Sequence, residues 1–126
     1  MGAWGTRTFE NDQAMDWLDS FRGEPTEQTL IAALLDPCES EYSNPEGVVA
    51  AAEVVASLIG KPAPVPHEEL ADLPPVEFDR EALPRLAVVA IDRVCESWLN
   101  DSWAETDTYD QWVEEVSALR SRLAPN

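Results

Sequence analysis

The chain has 126 residues, of which 25 are Asp or Glu and only 8 are Lys or Arg, so its formal net charge at pH 7 is −17. Nucleic acids and anionic lipid surfaces are bound through clusters of Lys and Arg, and this charge excludes both as direct ligands. A hydrophobic content of 44% is enough for a packed core, and the length fits one domain, residues 1–126.

The sequence favours a cytoplasmic location. No stretch approaches the roughly 20 apolar residues of a membrane span, and the N-terminal residues lack the basic-then-apolar order of a signal peptide. The two cysteines, Cys38 and Cys95, are too few and too far apart for a disulfide framework. We therefore expect reduced and mostly buried thiols.

The first seventeen residues combine aromatic anchors with a helix-start signal. Trp4, Phe9 and Trp17 carry enough apolar surface to dock an irregular N-terminal arm onto the core. Asn11 or Asp12 can act as the N-cap of the helix that follows.

That first helix, predicted over residues 12–22, has a buried face and an acidic face. Its apolar residues recur at helical spacing and are Ala14, Trp17, Leu18 and Phe21. Asp12, Asp16 and Asp19 follow an i, i+4, i+7 pattern and form an acidic ridge.

The second predicted helix begins after Thr26, its N-cap, and ends before Pro37. Its apolar residues are Leu30, Ile31, Leu34 and Leu35. A polar loop over residues 38–43 separates it from the third helix.

The third helix is the best defined in the sequence. Asn44 followed by Pro45 is typical of a helix N-terminus, and Gly60 is suited to the position just past the C-terminus. Between them, residues 48–59 are apolar except for Glu53 and Ser57. A helix that is apolar almost all round belongs in the centre of a domain.

Residues 61–78 contain five prolines and are predicted to form an ordered, extended connection, with one helical turn near residues 67–72. Its apolar residues argue against a free linker and are Val65, Leu70, Leu73, Val76 and Phe78. His67, the single histidine of the chain, is predicted to be a solvated loop residue.

Two long helices complete the predicted all-α bundle of about five. Asp79 can cap the fourth, with Pro84 in its first turn, and apolar residues continue at helical spacing through Leu99, which favours a helix over a short strand. The last starts after Asp107 or Thr108 and carries a narrow apolar seam. The seam residues are Trp112, Val116, Leu119 and Leu123. Such a seam packs within the fold or, alternatively, in a homodimer, so we expect a monomer or homodimer.

Signatures of catalysis and of metal binding are lacking in the sequence. A zinc protease helix needs two histidines, and a structural zinc site would need His67, Cys38 and Cys95 to converge from three distant places. The acidic segment that starts at Asp101 does not fit the EF-hand pattern, because the third position is Trp103. We therefore predict no cofactor and no catalytic residue, and enzyme activity is the less favoured reading.

The N-terminal acids support two interpretations. Glu10, Asp12 and Asp16 offer carboxylate oxygens, which a hard divalent cation accepts as ligands. If Asn11 and Asp12 instead serve as helix caps, Glu10, Asp16 and Asp19 have no structural role and form a candidate interaction surface.

The N-terminal segment also combines two short motifs at fixed spacing. They are the opening Met-Gly-Ala-Trp-Gly and then Phe9, Glu10, Asn11, Asp12, Ala14, Asp16 and Trp17. This pattern resembles the start of the small proteins of domain-of-unknown-function family 4259. The resemblance implies a bacterial source and supplies no activity and no catalytic residues.

Two functional hypotheses follow from the sequence. The first is a non-enzymatic interaction module whose acidic surface binds a basic protein, as an immunity-type or regulatory partner. The alternative is a small metal-dependent protein or enzyme that uses the N-terminal acidic cluster of Glu10, Asp12 and Asp16.

Overall fold

The computed structural model of the protein describes residues 5–40 and 42–124. These residues form six α-helices and one short 3₁₀ turn. In chain order they are α1 (Asp12–Gly23), α2 (Glu27–Leu34), α3 (Pro45–Leu58), the 3₁₀ turn (Glu68–Leu70), α4 (Ala82–Cys95), α5 (Trp98–Ala104) and α6 (Tyr109–Leu123). The described part of the chain has no β-strand, which confirms the all-α prediction. No helix within it is long and apolar enough to cross a membrane.

Helix α3 lies at the centre of the fold and packs against α1, α2, α4 and α6. All its residues from Gly47 to Ala56 are buried, as expected for a helix that is apolar almost all round. One hydrophobic core extends from α3 and includes buried residues from the N-terminal arm and from each of the six helices.

Both ends of α3 have the local structures that the sequence predicts. At the start, the Asn44 side chain accepts a hydrogen bond from the Gly47 N–H at 3.0 Å. At the end, Gly60 has a φ of +82°, which a glycine adopts without steric cost. The Lys61 N–H bonds the Ala56 carbonyl at 2.9 Å, and this turn directs the chain into the proline-rich connection.

The N-terminal arm and the proline-rich connection are both ordered against the core. Phe9 is only 1% exposed and meets the His67 ring edge-on, with ring centroids 5.3 Å apart. Arg7 donates a hydrogen bond to the Val65 carbonyl of the connection. Trp4, the other predicted anchor of the arm, lies outside the described residues.

The prediction that the fourth helix continues through Leu99 is wrong. Helix α4 stops at Cys95, and Ser97 begins the separate helix α5. The Ser97 hydroxyl donates to the Val94 carbonyl at 2.6 Å and accepts from the Leu99 N–H at 3.2 Å. A serine side chain that bonds the local backbone in this way competes with a continuous helix.

The two cysteines differ in exposure, and the apolar seam of α6 is buried. Both thiols are free, but Cys38 is buried whereas Cys95 is exposed, so the expectation of a buried thiol is wrong for Cys95. The apolar seam of α6 is no more than 5% exposed at any of its four residues. Because α6 packs against α3 and α4, the chain itself covers the seam, and these four residues are not free to form a dimer.

Candidate functional site

The N-terminal motif forms the cap of α1. The side-chain oxygen of Asn11, Oδ1, accepts a hydrogen bond from the Ala14 N–H at 2.8 Å, and its side-chain Nδ2 donates to the Thr8 carbonyl at 3.2 Å. Asp12 is the first residue of the helix and is exposed, so the cap is Asn11. Trp17 is half-buried and stacks on Phe21 with ring centroids 5.4 Å apart.

The three carboxylates of the candidate interaction surface have different environments. Asp16 and Asp19 are exposed on α1, as the acidic ridge predicts. Glu10 is half-buried, and its Oε1 accepts a hydrogen bond from the Arg7 N–H at 3.0 Å. A Cβ atom at Gly5 would lie 2.6 Å from this carboxylate, so a larger residue there would displace the Glu10 side chain. Glu10 therefore has a local structural role in the arm.

The described structure does not assemble the alternative metal site. Within residues 5–40 and 42–124, no three His, Cys, Asp or Glu side chains are grouped so that they could hold a metal ion. Glu10, Asp12 and Asp16 all lie in these ranges, and Glu10 is occupied by the backbone of the arm.

A second polar cluster lies inside the fold, around Glu53 of α3. The Glu53 side chain is 2% exposed. Its Oε1 accepts hydrogen bonds from Thr8 Oγ1, His67 Nε2 and an Arg122 guanidinium nitrogen, each at 3.1 Å. Its Oε2 accepts from the other terminal nitrogen of Arg122 at 2.7 Å. That nitrogen also donates to the Lys61 carbonyl at 3.1 Å.

The Glu53 cluster joins four separate parts of the chain. Thr8 comes from the arm, Glu53 from the central helix, His67 from the proline-rich connection and Arg122 from α6. A buried charge is tolerated only when it is paired and hydrogen-bonded, and each of these partners meets that requirement for Glu53. The cluster therefore fixes the positions of the arm and the connection against the bundle.

The electrostatics of the cluster indicate a structural role. Burial alone raises the pKa of Glu53, but hydrogen bonds from His67 and the ion pair with Arg122 outweigh it and lower the pKa to about 2. The carboxylate is thus ionised at neutral pH, and its oxygens are occupied by donors. A general base needs a free oxygen and a pKa near the working pH, and Glu53 has neither.

The prediction that His67 is a solvated loop residue is wrong, since it is 7% exposed. The sequence holds a signal that could have located it. Glu53 is the one carboxylate inside an apolar run, and such a group requires a buried donor from elsewhere in the chain. His67 is the single histidine of the chain and lies in a connection with several apolar residues, which makes it a candidate for that donor.

A small cavity lies between the arm and helices α3, α5 and α6. Its volume is about 10 Å³, which is room for about one water molecule. Glu46 lies at its wall beside Trp103 and Trp112, and burial raises the pKa of Glu46 to about 7. A raised pKa is common in catalytic acids, but a cavity of this size cannot hold a substrate.

These features define an acidic, all-α domain with a docked N-terminal arm and one buried charge cluster. The chain belongs to the family described as Domain of unknown function (DUF4259), whose sequence profile matches residues 2–115. The match includes Thr8, Glu53 and His67 and ends before Arg122. No curated protein and no solved structure matches the chain.

Proposed function

We propose that this protein is a non-enzymatic interaction module whose acidic surface binds a basic protein, as an immunity-type or regulatory partner. The supporting observation is the use of its cations within the fold. Arg120 and Arg122 pair with Asp92 and Glu53. Three further arginines donate to backbone carbonyls, and they are Arg7, Arg22 and Arg93. These carbonyl bonds leave the guanidinium charges in place, but among the described residues none of the three arginines forms an ion pair with a carboxylate.

The exposed carboxylates therefore keep most of their charge. Seventeen of the 24 Asp and Glu residues that the structure describes are exposed, and Arg120–Asp92 is the one arginine–carboxylate pair among them. A surface of one sign attracts oppositely charged proteins and accelerates their association at low salt. The proposed contact residues are Asp16 and Asp19 of α1, together with Glu10 of the arm, whose carboxylate is half-buried.

The same charge argues against nucleic acid and anionic membrane as partners. A reducing compartment such as the cytoplasm is the proposed location, since Cys38 and Cys95 are both free thiols. The oligomeric state we propose is a monomer or a homodimer that does not use the α6 seam.

Affinity purification from the native host at low salt tests this function. The tagged protein is compared with two double variants, Asp16→Asn/Asp19→Asn and the control Asp101→Asn/Asp107→Asn. All four carboxylates are exposed, and both variants change the net charge by the same amount. We expect the wild type and the control to retain a basic protein that the Asp16/Asp19 variant loses. Recovery of no basic protein by the wild type would overturn the proposal.

A further inference from the structure

An open groove lies where the end of α2, the loop over residues 36–44 and the start of α5 meet. Its volume is about 460 Å³, within the range of clefts that admit a bulky side chain. Leu35 and Trp98, which are 57% and 36% exposed, lie on its wall with Pro37. We call this the Leu35–Trp98 groove.

Exposed apolar side chains are concentrated around this groove. Six large apolar side chains of the described residues are exposed by about a third or more, and Leu35, Tyr42 and Trp98 are three of them. Tyr42 is 91% exposed and belongs to the same loop. Tryptophan and tyrosine are among the residues that most often anchor protein interfaces, and each of these three side chains keeps a third or more of its surface in water.

Hydrogen bonds anchor the described parts of the loop that borders the groove, residues 36–40 and 42–44. The Asp36 carboxylate accepts hydrogen bonds from the Cys38 and Asn44 N–H groups, both at 2.8 Å. The Trp98 indole N–H donates to the Ser40 carbonyl at 2.9 Å. Cys38 has a φ of +57°, which costs a non-glycine residue about 1–3 kcal/mol and persists only where surrounding bonds impose it. The groove is therefore formed before any partner arrives, which lowers the entropic cost of binding.

Charge at the rim indicates the kind of occupant. The exposed carboxylates Glu39 and Glu96 line the groove. The one cation in its wall, Arg93, donates to the Leu34 and Asp36 carbonyls at 3.3 and 3.2 Å, so it is engaged at the end of α2. A second copy of this chain would bring a further net charge of −17 to the contact, and like-charge repulsion disfavours that occupant.

We propose that the Leu35–Trp98 groove is the docking site for a segment of a basic protein, in which a bulky apolar side chain is flanked by Lys or Arg. This inference rests on the proposed function for the basic character of the partner. The apolar side chain enters between Leu35 and Trp98, and the flanking cations meet Glu39 and Glu96. The wider acidic surface accelerates encounter, and the groove supplies short-range specificity.

A peptide titration followed by NMR on the labelled full chain tests the site. The probe is a synthetic peptide with a central Leu-Trp pair flanked on each side by lysines. One comparison peptide replaces the Leu-Trp pair by alanines, and the other replaces the lysines by glutamines. We expect the probe to shift the NMR signals of the Trp98 indole N–H and of the amides around Leu35. Both comparison peptides should bind at least about tenfold more weakly than the probe.

Matched variants then localise the binding. Leu35→Ser removes an exposed apolar side chain from the groove, and Val65→Ser removes one that is 67% exposed on another surface. Leu35→Ser should weaken binding about tenfold, because more than half of this side chain is free to leave water on docking. Val65→Ser should leave the affinity within about twofold of the wild type, which is the scatter expected of an uninvolved surface position.

Several results would overturn the docking site. One is binding of the glutamine-flanked peptide as tight as that of the probe, and another is an equal loss of affinity in Leu35→Ser and Val65→Ser. The others are NMR shifts confined to residues outside the groove, and shifts at Leu35 that depend on protein concentration alone. The proposed function fails separately. If the host's basic protein is captured by the wild type and equally by Leu35→Ser, the groove is refuted while the acidic module stands. If no basic protein is captured, the proposed function is refuted whatever the peptide does.

Discussion

Replacing Arg122 by methionine tests the account of the buried cluster. Arg122 supplies the charge that offsets Glu53, which is 2% exposed. In Arg122→Met the aliphatic volume is largely kept, but Glu53 loses its ion pair and two of its hydrogen bonds. Removing one partner of a buried pair costs about 3–5 kcal/mol. That is a large share of the roughly 5–15 kcal/mol that stabilises a typical domain.

The lowered pKa of Glu53 gives a consistent magnitude. A fall from 4.5 in the unfolded chain to about 2 in the fold corresponds to about 3 kcal/mol of stability. For a chain of this length, the expected decrease in Tm of Arg122→Met is roughly 10–20 °C. Thermal unfolding followed by circular dichroism measures it.

Two further variants separate charge from packing. Arg120→Met breaks the exposed pair with Asp92, in which both side chains are about half exposed, and little change in Tm is expected. Glu53→Gln/Arg122→Met removes both buried charges but keeps a side-chain oxygen that can accept from Thr8 and His67, so it should recover most of the loss. A double variant no more stable than Arg122→Met alone would refute the reasoning.

Three other predictions concern pH and metals. The stability that Glu53 contributes is complete above pH 4.5 and is lost as the pH falls towards about 2. Acid titration of the wild type should show a loss of stability in this window that Glu53→Gln/Arg122→Met lacks. Glu46 affects stability in the opposite direction. Because burial raises its pKa to about 7, the fold becomes less stable as the pH rises from 4.5 to 7. Glu46→Gln should therefore stabilise the protein by roughly 1–2 kcal/mol at pH 8 and by little at pH 4 in urea unfolding; the position of Glu46 in the first turn of α3 offsets part of the burial cost. In calorimetry with Ca²⁺, Mg²⁺ or Mn²⁺, the wild type and Asp12→Ala/Asp16→Ala should give the same heat. A binding heat that is present in the wild type and lost in the variant would support the metal hypothesis.

Local signals in the sequence predict much of the helical architecture. Asn44 and Pro45 fix the start of α3, and Gly60 marks its end, because caps depend on short-range chemistry. The break between α4 and α5 could not be predicted in the same way. Apolar residues keep helical spacing across it, whereas the extended backbone of Ser97 and the bonds of its buried hydroxyl interrupt the helix there.

The buried cluster and the groove depend on tertiary contacts that spacing does not encode. Glu53 and Arg122 are 69 residues apart in the sequence. Leu35 continues the apolar pattern of α2, and that pattern predicts a buried residue. It is exposed since the helix ends at Leu34 and the chain turns away. Such outcomes depend on which elements become neighbours, which the sequence pattern of one element does not determine.

The association rate constant between this protein and the basic protein captured from its host tests the central proposal most directly. It is measured by stopped flow from about 20 mM to about 500 mM salt, a range over which screening shortens from roughly 20 Å to a few ångströms. We predict a steep fall with salt for the wild type, and at low salt a slower rate for Asp16→Asn/Asp19→Asn than for Asp101→Asn/Asp107→Asn. A rate that does not change with salt, or is equal in the two variants, would contradict binding through the acidic surface of α1.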